Sequence, residues 1–290
     1  MLILLSGYLF GRFTTVDPTP ISKLAIMILS PALIFSFLVR NNLTSTQMIQ
    51  TVSSVLIFTV VITVITIIFI KITGNGHLLS PSLLSTVFPN TGNFGLPIIL
   101  LAYGEHAFTL GVVIVVINFI LMYSLGVYFA SLSGNNWSEG VKNILLLPTT
   151  YAAILAIIVN IFNINIPDFL YDPIKMVGEA MIPLVLIILG IQLARTNIKG
   201  YLSSTIISSC IKVIIAPIVI FAIVYFLNIE GDLAKVIILQ NAMPTAVIMT
   251  LIAAEYNSNP KLVANVTFIT TVASFFSLTA LLYLLDIFFV

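Results

Sequence analysis

The fold turns on "STVFPNTGNFGLPIILLAY", residues 85–103. Both flanks are apolar runs of membrane-helix character, yet Pro89, Asn90, Gly92, Asn93, Gly95 and Pro97 crowd its middle. A chain in lipid must satisfy its own backbone N–H and C=O groups. Irregular backbone is tolerated at membrane depth only where it faces protein or a water-filled cavity. Pro89 and Pro97 lack an N–H, and Gly92 and Gly95 allow torsions closed to other residues. Asn90, Thr91 and Asn93 can bond the backbone groups that the break frees. The stretch therefore reads as a helix interrupted at mid-depth beside a cavity.

The 290 residues around it are 60% hydrophobic and 7% charged, with a mean hydropathy of +1.19. Soluble domains are near a quarter charged, so this is a polytopic membrane protein. Apolar runs such as "TVVITVITIIFI" are continuous rather than alternating, so the spans are helices and not barrel strands. The formal charge of +1 argues against nucleic acid as a partner, and the single Cys210 excludes an internal disulfide. Cys210 reads as a small packing residue.

Polar punctuation divides the chain into segments 1–11, 19–39, 51–70, 78–102, 106–131, 143–163, 173–194, 202–227, 233–254 and 260–289. The first rises only ~16 Å, about half the apolar thickness. Loops after odd-numbered segments carry Arg12, Lys71, Lys142, Arg195, Lys199 and Lys261; those after even-numbered segments carry Arg40, Lys175 and Lys235. Positive loops stay inside, which puts the odd loops in the cytoplasm and both termini outside a cell membrane. Trp137, in the central loop, reads as an interfacial anchor.

Two breaks recur at one offset. Pro31 and Pro183 lie 152 positions apart, and so do Gly92 in "PNTGN" and Pro244 in "NAMPT". The chain therefore reads as an all-α fold of ten transmembrane helices in two five-helix repeats, 1–131 and 143–290, joined by a linker at 132–142. Five is odd, so the second repeat is inverted. Inverted repeats that each carry a broken helix point to a secondary transporter with its site at the repeat interface. The offset also implies a first helix longer than residues 1–11, in relatives if not here. If the two breaks cross, two half-helix N-termini converge, each worth roughly half a positive charge. Together they bind an anion without a buried arginine. One such break alone would be as readily a kink as a site.

"FPNTGNFGLPI", "MPTAVIMTLIAAEYN" and "AMIPLVLIILGIQL" resemble the auxin efflux carrier family, over nearly the whole chain. That family includes the plant PIN carriers and bacterial malonate or malate permeases. The resemblance implies the fold shared with bile-acid symporters and sodium/proton antiporters, with crossed broken helices four and nine. It implies a scaffold of helices 1, 2, 6 and 7 that dimerises, and an elevator-type transport domain of helices 3–5 and 8–10. It implies a small organic anion bound by Pro89, Asn90, Thr91 and Pro244, with Asn118 facing the site. Gly92, Asn93, Asn241 and Thr245 join them as candidates from their places in or beside the breaks. The long cytoplasmic loop of plant carriers is absent, since only "SLSGNNWSEG" joins the halves, and its phosphorylation does not carry over.

Two charges lie inside spans. Lys212 is ~16 Å from the cytoplasmic end of its segment and Glu179 ~10 Å from the outer end of its own. Three readings of Lys212 stay open: an ion pair with Glu179, a cation near the substrate anion, or a side chain that snorkels to the cytoplasmic face. Glu179 can instead pair with Lys175 one turn earlier. Asn118, Asn160, Gln240, Asn241, Thr245 and Asn265 read first as helix-to-helix hydrogen bonds, and most aromatics as lipid-facing or interfacial. Neither break holds an Asp or Glu, which disfavours cation exchange. His77 and His106 read as single loop residues outside any H-E-x-x-H pattern, so no metal, cofactor or enzyme activity is expected. An anion channel and a non-transporting anion receptor are the rival readings.

Overall fold

The computed structural model describes residues 2–39, 44–132, 148–162, 164–195 and 200–289. Most of the linker expected at 132–142, with Trp137 and Lys142, lies outside these residues, as do Arg40 and Lys199. The described chain is helical, with no strand longer than a single bridging pair. Its elements are α1 (Leu2–Phe13), α2 (19–39), α3 (Ser45–Ile72), α4a (Leu79–Val87), α4b (91–103), α5 (105–131), α6 (Pro148–Ile161), α7 (168–195), α8 (202–226), α9a (Gly231–Asn241), α9b (Ile248–Glu255) and α10 (Pro260–Phe288). Six helical stretches among them are long and apolar enough to cross a membrane, while α1 and α6 are shorter apolar helices. This is a multi-pass membrane protein.

Local chemistry explains the boundaries. Thr44 and Gln47 form a reciprocal capping box that starts α3 six residues before its apolar run. Gly104, at φ +77°, separates α4b from α5, a turn that a side chain would strain. Three prolines repeat one pattern. Pro31, Pro97 and Pro217 each follow a π turn, at Ala25–Leu29, Thr91–Gly95 and Ile211–Ile215 respectively. A proline removes one helical hydrogen bond and its ring presses on the carbonyl four residues back; widening the preceding turn relieves both.

The helices pack as two groups. In one, α1 lies on α7, and α2 lies on α6 and α7. In the other, α3 packs on α4a and α8, α9a on α8 and the 96–121 stretch, and α10 on α4a, α8 and α9b. Glycines bring the first group into backbone contact. A Cβ at Gly7 would fall 2.2 Å from the Ile187 carbonyl oxygen, and one at Gly190 2.2 Å from that of Leu4. Without a hydrophobic force between helices in lipid, such close approach supplies the attraction. Asn160 Nδ2 donates to the Val39 carbonyl at 3.2 Å and the Tyr171 hydroxyl to that of Ser36 at 3.1 Å, tying α6 and α7 to α2.

Some expectations change. Cys210 is exposed on α8 rather than packed inside. Phe58, Phe88, Phe94 and Phe108 are exceptions among the aromatics, fully buried between packed helices. His106 lies in the first turn of α5 rather than in a loop.

Candidate functional site

The two interrupted helices cross, and their breaks complete one another. Pro89 and Thr245 face each other as an antiparallel bridge. The Asn90 N–H donates to the Pro244 carbonyl at 2.7 Å, and the Ala246 N–H to the Phe88 carbonyl at 3.0 Å. Backbone groups that lost their helical partners therefore find each other instead of remaining orphaned in a dry interior. Pro89 and Pro244 contribute by having no N–H to satisfy. Thr245 locks the crossing. Its hydroxyl donates to the Ser85 carbonyl at 2.5 Å, and its N–H donates to the Thr270 hydroxyl at 3.2 Å.

Beside the crossing lies a cavity of about 70 Å³, room for a handful of water molecules. Asn90, Thr91, Gly92 and Asn93 line it from the start of α4b, and Ala246, Val247 and Ile248 from the start of α9b. Two helix N-termini thus meet at one cavity, and neither carries a side-chain cap. The first N–H groups of a helix have no intrahelical acceptor, so the cavity gathers donors and positive partial charge. Asn90 is buried, and its Nδ2 has no hydrogen-bond partner among the described residues.

The far wall belongs to the other helix group. Ser22, Ala25 and Ser30 of α2, Thr149 of α6, and Met181, Val185, Ile188 and Gln192 of α7 complete the lining. Phe119, Met122 and Tyr123 of α5 close one side. The sequence reading missed these residues, because nothing along the chain distinguishes them from packing positions. They come from the middle of α2, α5, α6 and α7 or from the halves nearest the odd-numbered loops. Toward the opposite membrane face, the rings of Phe37 on α2 and Phe108 on α5 meet at 4.3 Å.

The remaining candidates lie elsewhere. Asn118 and Asn241 are buried but do not line the cavity; their amides donate to their own helices, to Ile114 and Ile237, at 3.0 and 2.8 Å. Phe119 and Met122, one residue and one turn beyond Asn118, line the wall in its place. Pro89, Pro244 and Thr245 build the crossing without reaching the cavity. Gln240 Nε2 lies 3.4 Å from the Gly111 carbonyl, the helix-to-helix role expected of it, whereas Asn265 donates at 3.3 Å to the carbonyl of Gly200, in the turn before α8 rather than in a helix. Lys212 and Glu179 are not brought together. Glu179 is half-exposed and pairs with Lys175 at 3.6 Å, the one-turn alternative. Lys212 does not snorkel: it is fully buried, with no partner for Nζ among the described residues.

Two expected outcomes follow from this packing. A Cβ on Gly95 would sit 2.2 Å from Oε1 of the fully buried Gln240. Gly95→Ala should destabilise the protein by about 1–3 kcal/mol, as overpacking does, and Gln240→Ala should relieve it. Thermal unfolding of the two single variants and the double variant checks the coupling. Pro89→Ala and Pro244→Ala each add an N–H and permit helix to continue across the break. Both should slow transport, measured as initial uptake into liposomes; unchanged kinetics in both would refute the role.

A multi-pass helical bundle with two crossed, interrupted helices beside a cavity is an architecture that membrane transporters use. The family described as membrane transport protein, the auxin efflux carriers, matches residues 1–144 and 139–282, and the chain belongs to it. An uncharacterized transporter of Methanocaldococcus jannaschii is 25% identical over 94% of this chain and 92% of its own. One from Methanothermobacter thermautotrophicus is 22% identical over 96% of this chain and 93% of its own. Auxin efflux carrier component 8 of Arabidopsis thaliana is 24% identical over 62% of this chain and 63% of its own. The chain is therefore a membrane transporter of that family.

Proposed function

We propose that this transporter carries a small organic anion, whose carboxylate binds at the crossing of α4 and α9. One observation carries the reading: a single cavity is lined by the N-termini of α4b and α9b and by α2 and α7 of the other helix group. An occupant touches both groups, so their relative displacement would move it. The cavity lining includes no Asp, Glu, Lys or Arg among the described residues, which suits an anion held by amides and helix ends. In this reading the chain is two inverted repeats of five helices, 1–131 and 143–290. Helices α3–α5 and α8–α10 move as an elevator against α1, α2, α6 and α7, and the latter face a second copy. Both termini lie outside the cell membrane. The cavity then faces the cytoplasm, and the Phe37–Phe108 contact seals the outer side. That seal favours a carrier over a permanently open anion channel.

The test is a thermal-shift screen of carboxylates on purified protein, repeated with Asn90→Ala, followed by uptake into liposomes. Saturable counterflow supports a carrier. Single-channel currents would indicate a pore, and binding without flux a receptor. A ligand whose shift survives Asn90→Ala at full strength would remove the site.

A further inference from the structure

We propose that Lys212 couples transport to protons: its Nζ takes up one proton as the carboxylate is bound and gives it back when the carboxylate leaves. The inference rests on the carboxylate-carrier reading above and adds the coupling ion to it. Lys212 lies in the π turn Ile211–Ile215 of α8, fully buried, 10 residues after Leu202 and hence ~15 Å along the helix. Its Nζ has no hydrogen-bond partner among the described residues and stands 5.9 Å from the ring centroid of Phe58 on α3. Thr205, Ser208 and Ser209 precede it by seven, four and three positions, so one helix face carries all four side chains. The hydroxyls of these three residues, and that of Ser82 on the neighbouring α4a, are buried and equally unpartnered among the described residues.

Among the described residues, no opposite charge holds the amine. Helix α4a carries no titratable group, and α3 carries only Lys71, in its last turn. On α10, Lys261 lies in the first turn, and Tyr283 and Asp286 lie near the end. On α8 itself the others are Cys210, exposed two positions before Lys212, and Tyr225, at its end; α9a, packed against α8, carries Asp232 and Lys235 near its start, and Lys235 is held by Asp286 at 3.1 Å. A permanent ammonium here would keep three donors without a matching charge in a dry seam. A charge present only while a carboxylate occupies the crossing avoids that penalty. The turn that holds Lys212 packs against α4a, which ends in the break, and against α10, whose Thr270 bonds Thr245 of the other break. The amine and the carboxylate are thus linked through the same crossed backbone.

The step balances simply. A proton from water on the loading side binds the Nζ lone pair as the anion enters. The loaded group then bears a matched ammonium and carboxylate, and unloading returns the proton to water on the other face. No other bond changes. The experiment uses the full chain in liposomes with a trapped pH dye, the membrane potential clamped, and radiolabelled pyruvate and succinate as probes. Wild type should acidify the lumen as pyruvate enters, and a one-unit pH gradient, acid outside, should drive about tenfold accumulation of the monoanion. Lys212→Arg stays charged. It should keep pyruvate–pyruvate counterflow and lose the gradient-driven accumulation; Lys212→Met should lose the accumulation too. Gradient-driven accumulation that survives in either variant would overturn the proposal. Should both variants fail to fold, wild-type uptake without proton movement overturns it by itself. Net uptake without proton movement refutes the coupling alone, whereas absence of exchange of either probe refutes the carboxylate-carrier reading with it.

Discussion

Gly190→Leu is expected to abolish recovery of monodisperse protein, the largest stability effect in the molecule. The Cβ alone would sit 2.2 Å from the Leu4 carbonyl oxygen and 2.5 Å from the Tyr8 nitrogen, both backbone atoms of α1. Across the same seam a Cβ on Gly7 would lie 2.2 Å from the Ile187 carbonyl oxygen, and one on Gly11 2.8 Å from the Ile191 Cα. No rotamer change can clear a neighbouring backbone, so α1 must lift off α7. Typical overpacking costs about 1–3 kcal/mol where side chains can yield, and the loss here should exceed that range. Gly190→Ala should show the same defect more mildly. Size-exclusion profiles and unfolding temperatures in detergent would check both. Two variants with wild-type stability would mean that α1 does not dock this way.

Asn90→Asp should weaken anion binding more than any other near-isosteric change. The substitution keeps the shape of the side chain and replaces a buried amide donor, lining the cavity, with a carboxylate. A hydrogen bond to a charged partner contributes about 1.5–3 kcal/mol, so its loss alone weakens binding roughly tenfold to 150-fold. Repulsion between the new carboxylate and the bound one adds to this. Asn90→Ala, which removes the donor without adding charge, should fall between wild type and Asn90→Asp. Calorimetric titration of the best ligand from the carboxylate screen reads the order directly. Equal affinity in wild type and Asn90→Asp would end the anion-site reading.

Much of the architecture is legible along the chain because membrane insertion leaves so little freedom. A charge content of 7% and continuous apolar runs dictate helical spans. Proline and glycine clusters at residues 89–97 and at Pro244 mark the two interruptions, and both lie where the clusters place them. Asn90–Asn93 lie at the break and line the cavity, since residues at a break must face something polar. Asn118 and Asn241 are candidates by their positions near the breaks, but a buried amide can also bond its own helix, and both do. Lys212 and Glu179 match by depth alone, and depth carries no information about azimuth. The two side chains belong to different helix groups, and Glu179 faces outward.

The linear chain thus dictates the membrane class, the helix positions and the points where helices must break. These follow from local rules: apolar length, missing N–H groups and the conformational freedom of glycine. Three facts come from three-dimensional packing instead. The breaks bond to one another, Ser30, Val185 and Gln192 face Asn90 across a cavity, and Lys212 is buried apart from Glu179. All three depend on how helices far apart in sequence rotate and dock. That rotation is set by backbone contact at glycines such as Gly7 and Gly190 and by hydroxyl pairs such as Thr245 and Thr270, which no local pattern encodes.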